Sequence, residues 1–148
     1  MKLLSIHIAP KPGVPMQSVD AATAVAGRGL EGDRNFGDSD PSHQVTLIER
    51  EAVEALGRDY GIKLGVGDAR RNLVTDGVAL NHLVGKEFAI GDVRLRGIRL
   101  CEPCTHLQKL TGAKVLPGLV HRGGLRAEIL TGGTLKPGLV VKTEGKTT

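Results

Sequence analysis

A mainly β fold with a few short helices, of barrel or sandwich type, follows from three features of this sequence. Short apolar runs bounded by Gly, Pro or Asp recur along the whole chain. The 21 glycines and 7 prolines among 148 residues supply turns, yet stay below the level of about 25–30% that marks disorder. The 40% apolar content includes only Phe36, Phe88 and Tyr60 as aromatics, so a core must be built from Val, Leu, Ile and Ala.

The elements follow in order. Strands are expected over Leu3–Ile8 and Gln44–Ile48, and a helix over Ile48–Leu56, where Ile48, Ala52, Val53, Ala55 and Leu56 share one face before Gly57 or Gly61 ends it. Arg71–Thr75 reads as the next strand. Glu87–Ile90 and Val93–Leu100 form a hairpin through Gly91-Asp92, the second arm alternating apolar and basic residues except at Gly97. A short helix is expected at or just after Cys104, with Leu107 and Leu110 three apart and Gly112 as its stop. Leu125–Leu130 and Leu139–Lys142 complete the strands, and the polar residues 143–148 are expected to fray. No repeat or composition shift divides the chain, so residues 1–148 read as one domain.

A net charge of +4, from 20 Lys and Arg against 16 Asp and Glu, is modest and dispersed. It favours a local anion site over a polybasic nucleic-acid or membrane surface, and the shortage of aromatics argues against a base-stacking platform. No apolar run reaches the ~18–20 residues of a membrane span, and no signal-peptide pattern follows Lys2. The expected location is cytoplasmic, where Cys101 and Cys104 are reduced thiols.

Four segments can carry chemistry. In Leu100-Cys101-Glu102-Pro103-Cys104-Thr105-His106 a strand ends and a helix begins, so backbone amides and the helix dipole favour a Cys104 thiolate. The pair reads as a reactive or metal-binding thiolate, as a dithiol redox pair, or as two core cysteines; zinc held by Cys101, Cys104, His106 and a distant His is a weaker option. Gly27-Arg28-Gly29-Leu30-Glu31-Gly32-Asp33-Arg34 is a bent loop with accessible amides, able to hold an anion or to close on an Asp33–Arg34 ion pair. It is neither a Walker loop nor a dinucleotide fingerprint. Arg71 and Asn72 alternate across a strand, so one of them faces inward, which is costly without a partner. His121-Arg122-Gly123-Gly124-Leu125-Arg126 again sets basic residues around a glycine pair.

Read together, these motifs resemble the MOSC domain, the module named from the C-terminal region of molybdenum-cofactor sulfurases, in a short single-domain form. The resemblance runs from about Met1 to Lys142. It rests on residues 29–34 (GLEGDR), 45–49 (VTLIE), 70–74 (RRNLV), 83–92 (LVGKEFAIGD), 100–104 (LCEPC) and 122–127 (RGGLRA). It implies a β-barrel similar to that of pyruvate kinase and a bound molybdenum cofactor (molybdopterin) with the Cys104 thiolate as metal ligand. It further implies cofactor contacts from Asp33, Arg34, Arg71, Asn72, His121 and Arg122. Three activities are compatible with it: an oxidoreductase module that reduces N-hydroxylated or related small molecules with an external electron-donor protein; a sulfur carrier loaded by a cysteine desulfurase, holding a persulfide on Cys104 that Cys101 resolves; and a non-catalytic binding barrel. Open strand edges make a homodimer an expected assembly.

Overall fold

A computed structural model describes residues 1–54, 71–100 and 124–143. Eleven strands are found among them: β1 (Lys2–Ile8), β2 (Gln17–Val19), β3 (Ala22–Val25), β4 (Gly29–Leu30), β5 (Val45–Glu49), β6 (Leu73–Asp76), β7 (Glu87–Ile90), β8 (Val93–Leu100), β9 (Leu125–Thr131), β10 (Gly133–Leu135) and β11 (Val141–Thr143). Eight form one sheet in the order β11-β7-β8-β9-β5-β6-β1-β2, and three form a second in the order β10-β3-β4. The β5–β6 pair is parallel; every other strand pair is antiparallel. Two short 3-10 helices, Pro41–His43 and Leu80–Leu83, lie in the connections. No helix of the described residues is long and apolar enough to cross a membrane.

The mainly β class is the one expected, but the sheet is not a closed barrel. Its far strand does return to the first: Lys2 forms an isolated bridge with Val140, Leu3 N donates to the Leu139 carbonyl at 2.8 Å, and Val141 N donates to the Met1 carbonyl at 3.0 Å. Gly138 N donates in turn to the Leu3 carbonyl at 2.7 Å, and beyond it Pro137 has no amide to donate while β1 bulges between Leu3 and Ser5. That bulge breaks the alternation visible in the sequence. Leu3 and Ile6, three apart, both enter the core, while Ser5 and His7 bond each other at 2.8 Å.

The core is aliphatic, as the composition requires, with Phe88 as its one buried aromatic among the described residues. Leu47, Leu73, Leu95, Leu125 and Ile129 interlock across neighbouring strands. Gly97 interrupts the apolar and basic alternation of β8 for a steric reason: a Cβ there would lie 2.1 Å from the Leu83 carbonyl oxygen. The close approach lets the Gly97 carbonyl accept from Gly85 N at 2.8 Å and its amide donate to Lys86 O at 3.0 Å.

The hairpin of β7 and β8 has the expected bounds. The helix expected from Ile48 instead begins at residue 50, because Ile48 and Glu49 pair with Val74 and Thr75 in β5–β6. Its continuation beyond residue 54 lies outside the described residues, as does the helix expected after Cys104. Thr143 does not fray; it pairs with Phe88 in the edge strand. Strands β2, β3, β4 and β10 were not evident in the sequence, being two to four residues long and poor in large apolar side chains.

Candidate functional site

Two of the four chemistry-bearing segments meet at the end of β1. Asp33 is buried, and its Oδ1 accepts from the Ala9 amide at 3.1 Å and from Arg34 Nη1 at 3.2 Å, while Oδ2 accepts from Asn35 N at 3.3 Å. Arg34 N donates to the Ala9 carbonyl at 2.7 Å, and Arg34 Nη1 also reaches the Met16 sulfur at 3.2 Å. The ion pair offered by the sequence is therefore present, and it anchors the glycine loop to β1. The loop's other arginine, Arg28, lies over the Phe36 ring, 5.2 Å from its centroid.

Asn72 ties the same strand end to β5 and β6. Its Oδ1 accepts from Thr46 N at 3.1 Å and Thr46 Oγ1 at 3.2 Å, and its Nδ2 donates to the His7 carbonyl at 3.1 Å. Its own amide donates to Thr46 Oγ1 at 3.1 Å, and its carbonyl accepts from His7 N at 2.7 Å. Of the polar residues at positions 71–72 expected to need a partner, Asn72 is fully buried and is stabilised by these cross-strand hydrogen bonds. Arg71, one residue earlier, is also buried.

These bonds belong to a longer pattern. Strand register places His7 opposite Ser18, Thr46 opposite Arg126, and Arg126 opposite Arg99. The next register level, Ile6, Leu73, Leu47 and Leu125, faces the core. Because side chains alternate faces, a polar row of His7, Asn72, Thr46, Arg126 and Arg99 crosses the face opposite the core. Its β1 end is buried and its β8 end is exposed. Arg99 belongs to the row because β8 bulges at Ile98: the register shifts between Gly97 and Arg99, so Arg96 and Arg99 both leave the core face.

Beside this face the Pro41–His43 turn forms one wall of an open cleft of about 460 Å³, lined by Asp40, Ser42, Gly85, Arg96, Ile98 and Glu128 among others. Hydrogen bonds from Ser42 Oγ and Ser42 N, each to Asp40 Oδ1, hold the Asp40 carboxyl below its ordinary pKa. Asp38 is likewise lowered, first by the Asp40 amide and then by His43, whose Nδ1 lies 3.2 Å from its Oδ2. Arg96 Nε donates to Glu128 at 2.9 Å across β8 and β9. No cluster of His, Cys, Asp and Glu among the described residues has the geometry of a metal site.

The structure therefore brings Asp33, Arg34, Arg71 and Asn72 to one end of β1 and adds Thr46, Arg126 and Arg99 along the same sheet. Cys101, Cys104, His121 and Arg122 lie outside the described residues. The two described strand ends that flank them, Leu100 and Leu125, are paired neighbours one step from the Arg99–Arg126 pair. In the sequence Arg126 was visible as the last residue of the basic His121–Arg126 segment, and Arg99 only as a basic member of a strand. Their pairing depends on a register and a bulge that sequence alternation does not encode.

Residues 31–142 match the MOSC domain, and the chain belongs to that family. Its fold is similar to that of the YuaD protein from Bacillus subtilis, with 14% identity over 96% of this chain and 94% of that one and a TM-score of 0.83. It is also similar to YiiM from Geobacillus stearothermophilus, with 14% identity over 96% and 74% of the two chains and a TM-score of 0.75. For YiiM from Escherichia coli the identity is 16%, over 100% and 72%, with a TM-score of 0.71. No curated protein sequence matches the chain significantly. At these identities the likenesses establish the fold.

Proposed function

We propose that this MOSC module binds molybdenum cofactor, with the Cys104 thiolate as metal ligand, and serves as an oxidoreductase module for N-hydroxylated or related small molecules, with electrons supplied by a partner protein. The observation that carries the reading is the convergence at the end of β1. The segments at 33–34 and 71–72, far apart in sequence, are bonded to Ala9 and to His7 respectively, two residues apart at the same strand end. This donor set fits an anionic pterin: Arg34, held by Asp33, and the buried Arg71 carry guanidinium groups suited to phosphate, and Asp33 and Asn72 hold the segments that carry them. His121 and Arg122 are further candidate contacts. The cofactor, when bound, supplies the redox-active metal and its dithiolene sulfurs; the chain supplies a soft thiolate, cations and a rigid sheet on which both are set.

Expression in a host that makes molybdenum cofactor, followed by metal analysis, tests the reading. Stoichiometric molybdenum in the wild type and its loss in Cys104→Ser are expected. A metal-free wild type would overturn it. In that event added sulfur on Cys104, seen by mass spectrometry after incubation with a cysteine desulfurase and cysteine, would establish the sulfur-carrier alternative.

A further inference from the structure

We propose that the face of β8 and β9 beside the Pro41–His43 turn is a phosphate-binding site formed by Arg99 and Arg126. The first argument is electrostatic. Arg99 and Arg126 stand directly opposite each other on neighbouring antiparallel strands, an arrangement that is unfavourable for like charges. The other arginines of β8 carry carboxylate partners: Arg94 bonds Glu87 at 2.8 Å, and Arg96 bonds Glu128. Arg99 and Arg126 have no carboxylate within ion-pair distance among the described residues.

The second argument is an unused donor. Arg126 Nε is buried and has no hydrogen-bond partner among the described residues, and Nη1 of the same group makes one long bond, 3.5 Å, to the Ser42 carbonyl. A buried guanidinium N–H without an acceptor is unfavourable, and an oxyanion seated on the fork would satisfy it. Placement supplies the third argument. The β8 bulge at Ile98 brings Arg99 to this face, and bulges recur next to sites where a side chain is re-aimed.

Space for the remainder of a phosphate ester is at hand. Ser42, the acceptor from Arg126, lines the adjoining cleft with Ile98, Gly85 and Gly97. Of its two carboxylates, Glu128 is paired with Arg96, and Asp40 is held ionised by Ser42, with His43 and Arg99 supplying the nearby positive charge. Thr46, opposite Arg126, has its hydroxyl turned to Asn72 and keeps this end of the row rigid. The phosphate is that of a free phosphate ester or the one carried by the pterin cofactor; in the second case the proposal deepens the cofactor reading.

The test is a titration of the purified full-length chain with inorganic phosphate and then phenyl phosphate, following arginine Nε–H resonances by NMR. A saturable shift at Arg126 is expected. Arg99→Gln and Arg126→Gln should each weaken binding about tenfold or more, as loss of a charge-assisted contact does, whereas Arg94→Gln should leave it within about twofold. Absence of a saturable shift, or wild-type affinity in both variants, would overturn the proposal. Arg99 is exposed, so Arg99→Gln keeps the test valid if Arg126→Gln fails to fold. Molybdenum content of the same variants, expressed in a cofactor-producing host, separates the sources. Weakened phosphate binding with molybdenum retained assigns the site to a free ester, and loss of both assigns it to the cofactor. The phosphate titration does not depend on Cys104, so failure of the metal-ligand reading leaves the phosphate site standing.

Discussion

The two ends of the polar row differ in how completely their hydrogen bonds are made. At the β1 end, Asn72 accepts from Thr46 twice and donates to His7, and nearby Asp33 accepts from three donors. At the β8 end, Arg126 Nε has no partner among the described residues, and Arg126 faces Arg99. Satisfied buried polar groups specify a structure, whereas groups that the fold gathers without satisfying point to a ligand. One sheet face thus contains both a structural clamp and a candidate recognition surface.

The largest expected effect comes from breaking the strand junction on which both ends depend. Gly124 precedes β9 with φ +108°, and a Cβ there would lie 1.9 Å from the Leu47 carbonyl oxygen. Gly124→Ala should cost about 3 kcal/mol or more, read as a lower urea midpoint, because backbone on both sides must shift. Asn72→Ala follows. It removes the acceptor for Thr46 N and the donor to the His7 carbonyl, both buried, and should cost about 2–3 kcal/mol in the same measurement. Asp33→Ala should cost about 1–2 kcal/mol by releasing Ala9 N from its acceptor. A loss as small as that of a surface variant at either clamp residue would contradict its structural role.

Arg99→Gln should behave oppositely to the clamp variants. Removal of one of two facing like charges leaves stability within about 0.5 kcal/mol of wild type, or slightly above it, in phosphate-free buffer. Added phosphate should then raise the thermal midpoint of the wild type clearly more than that of the variant. A pronounced destabilisation in phosphate-free buffer would place Arg99 with the clamp.

The smallest expected effect concerns acid. Arg50 donates to Asp76 through Nε at 3.2 Å and Nη2 at 2.6 Å and also pairs with Glu54, holding the Asp76 carboxyl below its ordinary value of 3.8. A depressed folded-state pKa stabilises the fold above 3.8, and this contribution is lost as pH falls through the lower folded value. Arg50→Gln should lower stability slightly at pH values above 3.8, the effect being small because the pair is partly exposed and screened, and the variant should converge on the wild type as pH falls below that value, so its acid limb is shallower.

The β class, the β7–β8 hairpin and the aliphatic core were legible in the sequence because period-two alternation and turn residues are local properties. The Gly27–Arg34 loop was legible as an anion holder or a structural ion pair, and the geometry supplies the pair. Asn72 was legible as a polar residue in need of a partner; the identity of that partner, Thr46, lies 26 residues away on a parallel strand. The start of the helix at residue 50 rather than Ile48 was not legible, because an apolar run fits a buried strand end as well as a helix face.

By itself, then, the sequence determined the secondary-structure class, the composition of the core, the family and the residue types available for chemistry. Only the tertiary structure decided which of those residues stand together. Two bulges, at Leu4 and Ile98, and the pairings of β1, β6, β5, β9 and β8 set the register that aligns His7, Asn72, Thr46, Arg126 and Arg99. The physical reason is that strand register follows from long-range pairing and from the burial of one face, and a shift of one residue moves every side chain to the other side.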